Sequence, residues 1–306
     1  MKWYKILPFI FPVCILFSCT KGDDNIGGGN GSGGGSTTPL TAQTILNVSY
    51  GADAAEKMDI YLPAGRVAGS TKVILLIHGG AWSSGDKTDL STLNTGMVIT
   101  DTLKTRFPDY AIFNINYRLS TGTTNLFPSQ ENDVKDALTY IYSKSADYAI
   151  GSKYVFIGES AGAHLAMLQG YKYGVPIIPK VIVSLFGPTD LTDMYNNPAG
   201  TNPSLTQSVL AQTIGATPTS NAAIYTNSSP INYINSSSPP TIFFHGSTDP
   251  LVNPSQSLNA KNKLTSVGVT AQYVLYLGKG HGDDWGSATY NDAFNKIQTF
   301  IAANMP

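Results

Sequence analysis

The run "YVFIGESAGAHLA", residues 154–166, constrains this chain more than any other feature. Four apolar, β-prone residues lead into Gly158-Glu159-Ser160-Ala161-Gly162. Residues 160–173 then read as a helix with apolar positions at Ala161, Leu165 and Leu168. A sharp strand-to-helix turn suits that order. Its tip residue is strained, and a Cβ on either glycine would clash where strand and helix converge. The hydroxyl of Ser160 then stands clear of the sheet. The competing reading is a chance Gly-x-Ser-x-Gly in a chain rich in glycine and serine. It leaves the strand before the motif and the helix after it without a reason.

From residue 40 onward, strand-like and helix-like segments alternate. "TILNVSY" and "KMDIYLP" read as an antiparallel opening pair. "KVILLIHG", "AIFNINY", "YVFIGES", "KVIVSLFG", "TIFFHG" and "TAQYVLYL" are mostly apolar and suit strands covered on both faces. Helix-like segments lie between them, such as residues 130–144 and 255–267. The order predicts an α/β fold, a doubly wound and mostly parallel sheet. With 306 residues, 42% of them hydrophobic, the chain can bury one sizeable core, assigned to residues 40–306. Residues 187–240 break the rhythm with Asn, Ser, Thr and Pro. They are too many for a simple connection and are expected to form a partly helical cap insertion over the active site.

A serine hydroxyl is a weak nucleophile and needs a base, which in turn needs an orienting acid. The chain has four histidines. His78 opens "HGGAW" after a strand. His164 lies one helical turn beyond Ser160 and points away from the tip. His245 ends a strand and is read as holding a loop. His281, in "GKGHGDDWG", follows the last strand, and reactive groups gather at the carboxyl ends of parallel strands. It is the predicted base. The acid should fall between Ser160 and His281 in this kind of fold. Asp249, in "FFHGSTDPLV", is preferred. Its rival Asp190, in "FGPTDL", more plausibly stabilises its own turn. Asp283 and Asp284 are too close in sequence to reach the far side of His281. Acyl transfer also needs donors for an oxyanion. The backbone N–H groups of Gly80, Ala81 and Ala161 occupy the right positions.

In order and spacing, "HGGAW", "NYRLS", "GESAGAHLA", "FGPTDL", "HGSTDPLV" and "GKGHG" resemble the motifs of α/β-hydrolases. The likeness is closest to the HGGxW esterase branch. That branch holds bifunctional feruloyl and acetyl xylan esterases and related carboxylesterases, and it borders the kynurenine formamidases. It runs from about residue 47 to residue 306. The resemblance implies a serine esterase with nucleophile Ser160, acid Asp249, base His281 and oxyanion donors Gly80, Ala81 and Ala161. The implied substrates are acetyl or feruloyl esters on plant polysaccharide. Two other functions compete: an amide- or peptide-cleaving serine hydrolase, and a non-catalytic glycan-binding module. Arg118 and Asp133 match positions that brace the scaffold as an ion pair. Trp82 and Trp285 are candidate substrate contacts, with a packed floor as the alternative for Trp82. Ala163 stands where many relatives have a second glycine, a change expected to affect helix packing.

No cofactor or metal is expected. The histidines lack the paired spacing of zinc sites, and the glycine-rich stretch follows no strand, so it is no phosphate cradle. Net charge is −1 and there is no basic stripe, which argues against nucleic acid. Near the start, Lys2 and Lys5 precede "ILPFIFPVCILF", a signal-peptide core interrupted by Pro8 and Pro12. "LFSC" resembles a bacterial lipobox, with residues 1–18 removed and Cys19 lipidated. Phe17 is bulkier than is usual there. Residues 19–39 follow as a Gly/Ser tether. The two cysteines are Cys14 and Cys19, so residues 40–306 contain no thiol. This places the domain outside the cytoplasm, anchored to an outer membrane through Cys19. Full-length protein should fractionate with membranes, and Cys19→Ala should shift it to the soluble fraction. Soluble, unlipidated wild-type protein would reduce "LFSC" to the end of an ordinary signal peptide.

Overall fold

The computed structural model describes residues 39–89 and 99–306. The signal-like segment 1–18, Cys19 and the tether up to residue 38 lie outside the described residues.

Eight strands form one sheet: β1 (Gln43–Ser49), β2 (Lys57–Leu62), β3 (Lys72–Ile77), β4 (Tyr110–Ile115), β5 (Tyr154–Glu159), β6 (Val181–Leu185), β7 (Thr241–Gly246) and β8 (Ala271–Tyr276). Their spatial order is β1-β2-β4-β3-β5-β6-β7-β8. β2 runs antiparallel to both β1 and β4, and every other neighbouring pair is parallel. The doubly wound, mostly parallel sheet read from the sequence is therefore the observed architecture.

The apolar strand runs follow from coverage on both faces. Val73, Leu75 and Ile77 of β3 join one core cluster, while Ile74 and Leu76 join the other. The first cluster packs against α2 (Ser129–Ser143), α3 (Ala161–Lys172) and α7 (Ser255–Ser266). The second packs against α1 (Ile99–Arg106) and α8 (Gly286–Asn304). An alternating strand with two covered faces leaves few solvated positions for polar side chains. β8 departs from the expectation. It is an edge strand, and no residue of it is fully buried.

Residues 187–240 are partly helical, as expected. They contain α4 (Leu191–Asn196), α5 (Pro203–Ile214), α6 (Ala222–Asn227) and a 3₁₀ turn at Pro230–Tyr233. Their place is beside the site loops rather than in the pocket lining: Thr213 Oγ1 lies 3.5 Å from the Ala81 carbonyl, and Gly200 packs against the Pro250 carbonyl. The segment packs beside α3, where the Ser228 carbonyl accepts from His164, and beside the Phe127 loop, whose N–H donates to the Thr213 carbonyl. None of these residues lines the pocket at Ser160. Their apolar side chains, such as Leu210, Ile214 and Tyr225, are consumed by the core on that face.

Candidate active site

Ser160 sits between β5 and α3 with φ 50° and ψ −117°, a left-handed conformation unusual for any residue with a Cβ. The turn is held from both sides. Its N–H donates to the Leu185 carbonyl (2.8 Å), and its carbonyl accepts from His164 N–H (3.0 Å). The flanking glycines answer a steric demand. A Cβ on Gly158 would lie 2.4 Å from the Gly162 backbone, and one on Gly162 would lie 2.2 Å from the Ile77 carbonyl oxygen. Backbone atoms cannot yield to such overlaps. Ala163 has its own counterpart: a Cβ on Gly187 would lie 2.5 Å from the Ala163 methyl, so that methyl fills the space Gly187 leaves.

The loops after β7 and β8 bring the other groups to the same point. Thr248 N–H donates to the Lys279 carbonyl (2.9 Å), stitching the two loops together. A Cβ on Gly246 would lie 2.1 Å from that carbonyl, so glycine is what lets the loops approach. His281 Nε2 then lies 2.8 Å from Ser160 Oγ, and His281 Nδ1 lies 2.6 Å from Asp249 Oδ2. Asp249 Oδ1 accepts from the N–H groups of Leu251 (2.8 Å) and Val252 (2.9 Å). Burial alone would raise the Asp249 carboxyl. Hydrogen bonds from His245 and His281, and the attraction of His281, outweigh burial and hold it well below the ordinary carboxylate range. Asp249 is thus ionised at neutral pH. An ionised Asp249 can only accept, so His281 Nδ1 donates to it and Nε2 is the nitrogen turned toward the serine hydroxyl.

The segment after β3 presents donors. A trans peptide points its N–H opposite its carbonyl. The Gly79 carbonyl accepts from His78 Nδ1–H (2.7 Å) and Tyr117 OH (3.0 Å). The Gly80 carbonyl accepts from the N–H groups of Ser83 (3.1 Å) and Ser84 (2.9 Å). These bonds orient the N–H groups of Gly80 and Ala81, which form no hydrogen bond among the described residues. Ala81 and Trp82 have φ 51° and 58°, further backbone strain beside Ser160. Ala161 is the first helical residue of α3, where N–H groups have no intrahelical partner.

Gly79, Gly80, Ala81, Ser160 and His281 line a cavity of about 390 Å³ with Phe186, Leu251, Tyr290 and Glu159. A larger cavity of about 710 Å³, between Tyr50, Arg118 and α2, shares no residue with it.

The remaining residues are placed as follows. His78 stacks on Tyr117 (4.3 Å between ring centres) and is buried. His164 is fully buried, donating from Nε2 to the Ser228 carbonyl (2.7 Å) and accepting at Nδ1 from Trp82 Nε1 (3.2 Å). Burial pushes it down to about 4, so it is neutral. Asp190 caps α4, its Oδ1 accepting from Asp193 N–H (3.0 Å), far from His281 in role. Arg118 and Asp133 form the braced ion pair at 2.5 Å. Asp284 ties its own loop by accepting from Gly280 N–H (2.9 Å).

Trp82 and Trp285 require correction as substrate contacts. Trp82 is buried and spends its indole N–H on His164. Trp285 is buried and donates to the Gly280 carbonyl (3.0 Å). Neither lines the cavity. The aromatic residues that do are Tyr290 and Phe186, the latter at φ 45° after β6 with its ring 4.6 Å from the His281 ring. A second group escaped the sequence reading. His245 Nε2 donates to the Val252 carbonyl (3.0 Å) and also approaches Asp249 Oδ2 at 3.2 Å, placing a second imidazole beside the acid. The four-residue spacing of His245 and Asp249 across one turn was the available signal.

The family model described as BD-FAE matches residues 58–264. The chain belongs to the BD-FAE family. This BD-FAE protein is 26% identical over 245 residues to the "Probable carboxylic ester hydrolase LipM" of Mycobacterium tuberculosis, covering 75% of this chain and 53% of the relative. It thus spans about half the length of the curated relatives it matches. Among solved structures it resembles "Bifunctional GH43-CE" from Bacteroides eggerthii, with TM-score 0.71, 27% identity, and coverage of 86% of this chain and 38% of that one. It also resembles "Truncated form of carbohydrate esterase from gut microbiota", with TM-score 0.69, 24% identity, and coverage of 85% and 97%. The fold is that of the α/β-hydrolase esterases.

Proposed function

We propose that this BD-FAE protein is a serine esterase that removes acyl groups, acetyl or feruloyl, from carbohydrate. The observation that carries the reading is the hydrogen-bonded series Ser160–His281–Asp249 at 2.8 and 2.6 Å, on the wall of a cavity that Gly80 and Ala81 also line. Ser160 Oγ attacks the ester carbonyl while His281 Nε2 takes its proton. The carbonyl oxygen becomes an oxyanion facing the N–H groups of Gly80, Ala81 and Ala161. The intermediate collapses, the bond to the alcohol breaks, and His281 returns the proton to the leaving oxygen. Water then repeats the sequence on the acyl-serine, releasing the acid and restoring Ser160. Asp249 stays ionised throughout and stabilises the imidazolium.

The carbohydrate assignment draws support from the neighbouring structures, which are described as carbohydrate esterases, and from the tether expected at residues 19–39. Attachment to a membrane through Cys19 belongs to the same proposal. Purified protein should release acetate from acetylated xylan or ferulate from methyl ferulate. Running both substrates side by side assigns the acyl group, and hydrolysis of neither would refute the reading.

A further inference from the structure

Glu159 precedes Ser160 and lines the same cavity, yet the mechanism above gives it nothing to do. It is 9% exposed, and its Oε1 is sealed from solvent without a hydrogen-bond partner among the described residues. A buried carboxyl without a donor lowers stability, because the transfer out of water is not compensated. The other β5 side chains next to it, Phe156 and Ile157, are apolar and fully buried, so the strand itself does not call for an acid. Oε1 is closed off from the cavity, so a ligand meets the carboxyl through its other oxygen, Oε2, which also has no hydrogen-bond partner among the described residues.

We propose that Glu159 is a specificity-determining residue that hydrogen-bonds a hydroxyl of the substrate, so that the site selects esters of polyols bearing a free hydroxyl near the scissile bond. This rests on the esterase reading and narrows its substrate class. The missing partner must be a donor. A hydroxyl both donates and accepts, so it serves the carboxyl in either protonation state. A permanent cation would need the ionised form. Burial pushes the Glu159 carboxyl up to about 7, so both forms are present near neutral pH. The titratable groups that line the cavity with it are His281 and Asp283 from the loop before α8, and Tyr290 from α8 itself. Residues 79–84, which close the cavity from the β3 side, bring no charge into its lining. Tyr290 is engaged, its hydroxyl donating to the Gly282 carbonyl (3.1 Å).

The test compares three acetyl esters: a monoacetylated methyl xyloside with free neighbouring hydroxyls, p-nitrophenyl acetate, and acetylcholine. The readout is the ratio of kcat/KM for the xyloside to that for p-nitrophenyl acetate. Groups needed for both esters, His281 among them, cancel in that ratio. Glu159→Leu should lower the ratio roughly tenfold to a hundredfold, the usual range for losing a hydrogen bond to a charged group. In wild-type protein the ratio should rise as pH passes upward through about 7, because the ionised carboxylate is the stronger acceptor. Glu159→Gln keeps the shape, removes a buried charge and is expected to fold at least as well. It should hold the ratio flat across that pH range. Equal losses on both esters in Glu159→Leu would mark a merely structural role and overturn the inference. So would a pH step that survives Glu159→Gln, or a preference of the wild type for acetylcholine over the xyloside. Wild-type protein active on p-nitrophenyl acetate but unselective refutes only this inference. Wild-type protein inert on all three refutes the esterase reading and this inference with it.

Discussion

Ser160→Ala and His281→Ala should each lower kcat on p-nitrophenyl acetate by about four to six orders of magnitude, and the double variant should be scarcely worse than either. The non-additivity is the informative part. Ser160 Oγ and His281 Nε2 are joined by one 2.8 Å hydrogen bond, so removing either partner removes the proton transfer proposed for the pair. What remains is the backbone cradle of Gly80, Ala81 and Ala161, which no side-chain change deletes. Folding should be nearly untouched. Alanine at 160 inherits the same left-handed backbone at similar cost, because serine and alanine differ by one oxygen. His281 lies on a loop, with its side chain partly open to the cavity. Thermal midpoints of both variants should stay within a few degrees of wild type. A variant that kept more than a tenth of wild-type kcat, with an unchanged midpoint, would remove that residue from the mechanism.

The turn at Ser160 was legible in the sequence because its constraint is local. Two glycines, four residues apart, are demanded by backbone overlaps of 2.2 to 2.4 Å, and few other residue patterns relieve them. His281 and Asp249 were legible as candidates for a topological reason. Parallel strands deliver their carboxyl ends to one edge, so the loops after β7 and β8 had to meet near Ser160. Side-chain direction was not legible. Trp82 and Trp285 follow key motifs, and only tertiary packing shows that each indole N–H turns inward to a buried acceptor. The same limit applies to residues 187–240. Their composition announces an irregular insertion, but whether it covers a cavity or leans on a neighbouring helix depends on where its few apolar residues find a core. Leu210, Ile214 and Tyr225 find it in the core cluster on the α2–α3 face of the sheet. Glu159 stands inside the most recognisable motif of the chain. That its Oε1 has no partner among the described residues is a fact about three dimensions, and spacing alone could not reveal it.

Asp249→Asn should lower kcat on the order of ten-thousand-fold while leaving KM within a few-fold. The two carboxyl oxygens of Asp249 have divided duties. Oδ1 accepts from the N–H groups of Leu251 and Val252, and Oδ2 accepts from His281 Nδ1 and lies near His245 Nε2. An asparagine offers one acceptor and one donor in their place. If its oxygen stays with the two backbone donors, its NH₂ faces His281 and forces the imidazole to accept there. The proton then moves to Nε2, where it points at Ser160 Oγ, and the base can no longer take the serine proton. If the amide flips, its NH₂ meets two backbone N–H groups and the loop after β7 loses its turn. Either way the variant lacks the negative charge that steadies an imidazolium. Asp190→Asn is the matched control, since the same change is made one strand away. There the carboxylate caps α4 by accepting from Asp193 N–H, and asparagine caps a helix about as well as aspartate. Its kcat should stay within about threefold of wild type. Near-full activity in Asp249→Asn together with its loss in Asp190→Asn would transfer the role of the acid to Asp190, and would require the loop after β6 to rearrange toward His281 during turnover.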